Sequence, residues 1–435
     1  MDKAAFQAGL GPATQDLLAR DTAAYLFQSG STPCVSALRH AEGVWLEDAD
    51  GRRIMDFHGN SCHHIGYAHP RLTAALTQQL TGLTFAPRRF TCAPAVELAE
   101  RLGQLWPGGD ARVLLATGGS DAVEIALKLA RAATGRYKLL SFYDAYHGSG
   151  FGAMSVSGRK ADRAPRLGPL LEGALHVPPY YRPNSERSGE TVSDERLARD
   201  CLSAIRYTLE REGGIAALIA EPLKNTPHVP PDWFWPEVRA VCDAYGTLLI
   251  FDEIPTGLGK TGRLFASEHW GVQPDITVLG KALGGGIVPI AATIMNARLN
   301  VAPEMALGHY THEKNPFTAT AALTTLSIIE DEGLVENARR QGERMLGRLR
   351  ALGRRHPSVR AVRGIGLLLA VVLQGGDGRD AATRARSVAY RCLQGGLNLT
   401  DGEGDSLCMT PPLTISDADM DWALDVLDAA LTADA

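Results

Sequence analysis

The chain has no apolar run approaching the roughly 18 residues that a membrane span needs, so no membrane partner is expected. It has no block of basic residues either. Lys and Arg number 44 against 49 Asp and Glu, a net charge of −5 with both signs interspersed, which argues against nucleic acid as a partner. The one local concentration, RALGRRHPSVR at 350–360, closes a helical pattern and reads as a solvated face. The first residues, MDKAAFQAGLGPATQDLLARD, lack the basic stretch and apolar core of a secretory signal. Seven cysteines (Cys34, Cys62, Cys92, Cys201, Cys242, Cys392 and Cys408) are scattered, form no CxxC pair and are odd in number. Reduced thiols and a cytoplasmic location are the expectation. No internal repeat or low-complexity tract is present, and the small-residue turn at 118–120 is neither GxGxxG nor followed by GKS/T, so it supports neither dinucleotide nor P-loop recognition. What remains is an ordinary globular balance, 45% hydrophobic and 21% charged over 435 residues.

The pattern along the chain is an alternation of strands and helices. Residues 1–30 read as a mixed helical arm, and VWLEDADGRRIMDF (44–57) as a hairpin about the turn at 48–51. Residues 70–106 are helical in pattern, with a break at Ala86-Pro87. Strands then follow at 111–117, 138–143, 215–222, 246–253, 275–280 and 290–296, with helices at 120–134 and near 236–244. This βαβ order predicts an α/β fold, a mostly parallel sheet covered on both faces. The stretch 159–192, rich in Pro, Gly, Arg and Ser, reads as an irregular excursion over the sheet. After Pro316 two long helical patterns (318–332 and 334–354) lead into VRGIGLLLAVVL (362–373), a helix at 381–395, a short strand near 406–410 and a terminal helix at 416–432. The expected division is an N-terminal arm and hairpin (1–57) that joins a smaller α+β domain (316–435), around a large domain (58–315).

Several strands end in residues with chemistry. The run Gly246–Phe251 stops at Asp252 and Glu253, and the run Ile276–Leu279 stops at Gly280 and Lys281, 29 residues after Asp252. Ligands of open α/β sheets bind beyond the carboxyl ends of the strands, so an acid and an amine reach one rim. Glu221 ends a further strand and brings a third acid there. A lysine for a Schiff base and an acid for a ring nitrogen are what pyridoxal phosphate chemistry requires. A solvated lysine and a helix-capping Asp are the plain alternatives, but Gly284, Gly285 and Gly286 imply close backbone approach or unusual dihedrals. TGGSDAVEIALKLAR (117–131) places Gly118, Gly119 and Ser120 at the start of an amphipathic helix, where free N–H groups and the helix dipole attract an anion. A simple βα turn also uses such glycines. Tyr146 and His147 follow another strand, and an aromatic there can stack on a flat ring or on its neighbours. His58, His63, His64 and His69 cluster without any zinc spacing, and His309 and His312 do not complete HExxH; they read as turn and pocket-wall residues and no metal is expected.

Taken in order, GVWLEDADGRRIMDF, GYAHP, TGGSDAVEIALKLAR, AYHG, EP, FDEIPTGLGKTG, PDITVLGKALGGG, THEKNP, VRGIGL and PPLTI resemble the class-III aminotransferase family of pyridoxal phosphate enzymes, fold type I. The resemblance covers nearly the whole chain. It implies pyridoxal 5'-phosphate as cofactor and Lys281 as the lysine that carries it. It implies Gly119 and Ser120 on the phosphate, Tyr146 and Ile254 on opposite faces of the ring, Asp252 on the ring nitrogen and Glu221 beside them. Thr311 matches a threonine that the family supplies from a neighbouring subunit, implying a homodimer with shared sites.

Three departures bear on substrate. Pro255 stands where the family usually has Gln or His on the ring oxygen. Cys408, three residues before PPL, stands where α-amino-acid aminotransferases of the family often carry an arginine for the substrate carboxylate. THEKNP places Glu313 and Lys314 where two glycines are usual. HGNS, PRRF and GHYTHEKNP resemble a subgroup that handles aminophosphonates. The expectation is an ammonia-lyase acting on the primary amine of an aminophosphonate, with an aminotransferase or an amino-acid or lactam racemase as alternatives. Arg88 and Arg89 are the candidates for the anionic group, with Lys224 and Lys314 behind them, and Asn60 or Ser61 for a substrate hydroxyl.

Overall fold

The computed structural model describes residues 1–28, 31–181, 193–402 and 404–434. Contacts divide the chain into two compact units, one of Met1–His69 with Glu336–Ala435, the other of Pro70–Val335.

The first unit begins with helices α1 (Lys3–Ala8) and α2 (Pro12–Ala24), then strands β1 (Leu38–Glu42), β2 (Trp45–Asp48) and β3 (Arg53–Asp56). The hairpin of β2 and β3 is antiparallel, as the alternation around its turn predicts, and β1 adds to its outer side.

The second unit opens with α3 (Pro70–Leu80) and α4 (Ala93–Leu105). Strand β4 (Ala111–Ala116) leads into α5 (Gly119–Thr134), β5 (Lys138–Phe142) into α6 (Phe151–Val156), and β6 (Ala174–Val177) into α7 (Asp194–Glu212). After β7 (Ile215–Ala220) come α8 (Phe234–Ala244), β8 (Leu248–Asp252), β9 (Ile276–Leu279), β10 (Ala291–Asn296) and α9 (Pro316–Asp331). The seven strands form one sheet in the order β4-β10-β9-β8-β7-β5-β6. All run parallel except β10, which is antiparallel to both its neighbours. Every residue of β7, β8 and β9 is buried, which suits β-rich apolar runs covered on both faces. Helix α5 lies across β4, β10, β9, β8 and β7 and buries Ala122, Val123, Ile125, Ala126 and Leu129 against them. Asn315 caps α9, its Oδ1 accepting from Phe317 N at 2.8 Å, with Pro316 in the first turn. The NP of THEKNP is therefore a helix start. Helix α9 packs on α3 and α4, which is why the contact division falls after it, later than residue 315.

The chain then returns to the first unit with α10 (Leu334–Arg355), the hairpin of β11 (Val359–Ile365) and β12 (Leu368–Leu373), α11 (Ala381–Gln394), β13 (Leu397–Asn398), β14 (Ser406–Met409) and α12 (Asp417–Thr432). Here β13 pairs in parallel with β3, and β14 joins β12, so the N-terminal hairpin and the C-terminal segment share one unit.

Two regions differ from the sequence reading. The excursion at 159–192 contains an edge strand, β6, paired with β5; its short, half-buried ALHV carries little alternation to read. Its residues 182–192 lie outside the described residues. Helix α7, unread from sequence, buries Leu197, Cys201, Ile205 and Leu209, one every turn.

Gly158 tests the closeness of this packing. A Cβ there would stand 2.2 Å from Phe142 O and 2.6 Å from Tyr143 Cα, backbone atoms that cannot swing aside. Gly158→Ala is expected to cost about 1–3 kcal/mol, read as a lower Tm. An unchanged Tm would mean that the loop after α6 is free to shift.

Candidate active site

Because β10 is antiparallel, the carboxyl ends of β4, β9, β8, β7 and β5 all lie along one edge of the large sheet. That edge carries Gly118–Ser120 after β4, Lys281 after β9, Asp252 at the end of β8, Glu221 after β7, and Tyr146 and His147 after β5.

At β4, Gly118 precedes α5 with no side-chain cap, so the first N–H groups of a 16-residue helix are left for another acceptor. Gly119 admits close contact: a Cβ there would lie 2.8 Å from Ile254 Cδ1. The Ser120 hydroxyl does not cap its own helix. It accepts from Ser149 N at 3.0 Å, tying α5 to the loop after β5. Gly148 makes that approach possible, with φ +136° and a Cβ position 2.6 Å from Ser120 Oγ.

The same loop turns at Asp144, φ +64°, and leaves Tyr146 38% exposed with its hydroxyl 3.1 Å from Ser149 Oγ. His147 is buried. Its Nδ1 stands 2.8 Å from Asp252 Oδ2, its backbone N donates to Ser157 Oγ, and its Nε2 is buried without a hydrogen-bond partner among the described residues. Asp252 is 2% exposed, and its other oxygen accepts from Ile254 N at 3.1 Å. A carboxylate opposite Nδ1 makes that nitrogen the donor.

Glu221 is also buried but engaged. Lys224 Nζ lies 3.3 Å from its Oε1 and donates to Asp144 O at 2.7 Å, and Asn225 N donates to its Oε2 at 3.2 Å. Lys224 is therefore not a free cation. Lys281 follows Gly280 with φ +46°, a left-handed backbone that is costly for a long side chain. Among the described residues its ammonium has no hydrogen-bond or ion-pair partner, and the residue is half-buried. Gly285 and Gly286, at φ +65° and +76°, take the unusual dihedrals the glycine run implies.

The remaining candidates fall elsewhere. Arg88 and Arg89 sit exposed between α3 and α4, and Thr311 is exposed in the turn before α9. Asn60 and Ser61 occupy a left-handed turn of the first unit, at φ +48° and +57°. Cys408 is buried in β14 of that unit. Sequence reasoning missed two contacts: the His147–Asp252 pair, for which AYHG was the only signal, and a guanidinium from Arg159 placed 3.9 Å from the Tyr146 ring centroid.

The family model described as aminotransferase class-III matches residues 26–431. The chain is 40% identical to the (R)-1-hydroxy-2-aminoethylphosphonate ammonia-lyase of Vibrio splendidus, over 96% of this chain and 90% of that one. It is 30% identical to an alanine/serine racemase of Pyrococcus horikoshii, over 97% and 91% of the two chains. An amine transaminase from an uncultivated Pseudomonas species, solved with PLP bound, superposes with a TM-score of 0.86 at 31% identity, covering 95% of this chain and 99% of that one. The chain belongs to the class-III aminotransferase family of PLP-dependent enzymes, and pyridoxal 5'-phosphate is its cofactor. An uncapped helix N-terminus walled by glycine, a buried carboxylate held by two donors and an unpaired lysine along one sheet edge fit that group.

Glu253, beside Asp252, has a separate task. Its carboxyl accepts from Ala266 N and Ser267 N at 2.5 and 3.0 Å and is fully enclosed. Burial favours the neutral acid and pushes it up to about 7. The unfolded chain gives up this proton near 4.5. Between those values the folded chain holds more protons than the unfolded one, so stability falls as pH rises through that window and levels off above it. The fall is on the order of 3 kcal/mol. Glu253→Gln is expected to remove this slope. Urea denaturation at pH 5 and pH 8 checks it, and an equal slope in wild type and variant would assign the effect to another group.

Proposed function

We propose that the enzyme is an ammonia-lyase for an aminophosphonate, converting (R)-1-hydroxy-2-aminoethylphosphonate to phosphonoacetaldehyde and ammonia. The observation that carries this reading is the 40% identity to a lyase of that name over 96% of the chain. Cys408 is consistent with it: a neutral thiol replaces the arginine that grips an α-carboxylate in many family members. The second reading is an aminotransferase that passes the amine to a 2-oxo acid, supported by the likeness to a solved amine transaminase. A racemase, supported by the 30% identical relative, is the third.

In this proposal Lys281 would hold the cofactor, and its ε-amine would serve as the base of the site once the substrate amine is bound. The N-terminus of α5, with Gly119 and Ser120, would hold the phosphate, and Thr311 of a second subunit would complete that cradle in a homodimer. Tyr146 and Ile254 would hold the ring between them, with Glu221 beside them. Asp252, steadied by His147, would keep the ring nitrogen protonated by ion pairing. The bound cofactor supplies the electron sink that makes the carbon next to nitrogen acidic. Lys281 Nζ then takes the proton from that carbon. The hydroxyl leaves from the neighbouring carbon, and Lys281 would return its proton to the departing oxygen. Water then releases ammonia and leaves the aldehyde, so one substrate gives one aldehyde and one ammonia.

Two measurements test this. Incubated with the substrate and no oxo acid, the enzyme is expected to release ammonia catalytically. If amine is consumed only when pyruvate or 2-oxoglutarate is added, with alanine or glutamate formed, the aminotransferase reading replaces it. Lys281→Ala is expected to lower turnover by at least about 1,000-fold, since it loses anchor and base together, while the Tm of the apoenzyme stays close to wild type. Turnover above a few per cent of wild type would remove Lys281 from the role of base.

A further inference from the structure

The segment after α6 runs alongside the Tyr146–His147 turn. Ser157 Oγ accepts from His147 N at 2.9 Å, and Gly158 N donates to Ala145 O at 2.8 Å. The next residue, Arg159, is thereby delivered to Tyr146. Its guanidinium carbon lies 3.9 Å from the ring centroid, within range of a cation–π contact. Asp162 grips one edge of the guanidinium, accepting from Nε at 2.7 Å and from Nη2 at 2.9 Å. That side-on fork leaves Nη1 on the opposite edge. Among the described residues Nη1 has no hydrogen-bond partner, and the side chain is 43% exposed. Asp162 therefore fixes the plane of the guanidinium, Tyr146 supports its face, and three of its five N–H donors, two of them on Nη1, remain for a ligand.

We infer that Arg159 is the anion-recognising residue of this site, taking the phosphonate oxygens of the substrate on its free Nη1 edge. For the identity of the substrate the inference rests on the aminophosphonate reading above. Planar N–H donors match a tetrahedral oxyanion, and a group already held in place loses little freedom when the anion arrives. Glu221, the other acid whose charge reaches Arg159, is already occupied by Lys224, so it does not compete for that edge. Arg88 and Arg89 lack any such brace: both are exposed and neither has a hydrogen-bond or ion-pair partner among the described residues. Phosphonate at Arg159 also places the anionic end of the substrate beside the loop after β5. That loop reaches Asp252 at the end of β8 through His147.

The test uses the PLP-loaded enzyme, wild type and Arg159→Gln, with methylphosphonate as an amine-free probe. Calorimetry is expected to show methylphosphonate binding to wild type and at least about tenfold weaker binding to the variant, the loss of a charge-assisted contact. KM for the hydroxy-aminoethylphosphonate is expected to rise about tenfold more than KM for 1-amino-2-propanol, which lacks the anion. The visible absorbance of the bound cofactor is expected to persist. Asp162→Asn is expected to weaken methylphosphonate in the same direction by loosening the guanidinium. Equal KM rises for both amines, or loss of cofactor absorbance, would mean that Arg159 merely props Tyr146 and would overturn the inference. So would a wild-type enzyme that ignores methylphosphonate. If methylphosphonate binds through Arg159 yet no phosphonate amine yields ammonia, the anion site stands and the proposed reaction falls.

Discussion

A carboxylate sealed inside a protein must be matched by donors, because an unpaired buried charge is strongly destabilising. Asp252, 2% exposed at the end of β8, meets that demand with Ile254 N and His147 Nδ1. The second donor comes from beyond β5, and β7 lies between β5 and β8 in the sheet. To deliver it, the loop after β5 has to cross the mouth of β7. The crossing fixes Tyr146 beside His147, and Ser149 N then reaches Ser120 at the start of α5. Ile254, bonded to Asp252, fills the space that Gly119 leaves open. One buried charge thus ties three strand ends into a rigid set, the kind of advance organisation that electrostatic catalysis depends on.

The lysine turn is built by a different constraint. Left-handed backbone at a residue with a Cβ costs about 1–2 kcal/mol, and Lys281 adopts it at φ +46°. Such outliers persist where the surroundings over-determine them and gather at functional positions. Here β9 runs straight into the turn at Gly280-Lys281, and β10 returns antiparallel beside it. Gly285 and Gly286 take up the rest of the reversal with positive φ.

Much of this was legible in the sequence because strand ends are marked by a change of residue type. Apolar runs broken by Asp252, Glu221 and Gly280-Lys281 locate the edge, and the hairpin at 44–57 and the terminal helices follow from their periodicities. What escaped has physical reasons. Strand β6 is short and half-buried, so it shows no alternation. Helix α7 has regular apolar spacing but emerges from a polar excursion that masks its start. The pairing of His147 with Asp252 joins residues 105 apart in sequence, and no local pattern encodes such a contact. Arg159 follows a small-residue SVSG and looks like any surface arginine until Gly158 brings it against Tyr146.

The charges that remain bear on what the site accepts. Lys224 is 4% exposed, and its ammonium is shared between Glu221 and Asp144 O. Pulling it away to bind a substrate anion would leave Glu221 buried with, among the described residues, one backbone donor, from Asn225 N, a cost of several kcal/mol. Glu253 is enclosed and spends its two oxygens on the amides of Ala266 and Ser267. Cys408 brings no charge in its own unit. Arg159 differs from these groups because it is already satisfied on one edge and open on the other, so a ligand adds contacts without breaking any. A cation held in that way favours a compact, multiply charged anion that can use two donors at once. The proposed phosphonate meets that description more fully than a singly charged carboxylate does.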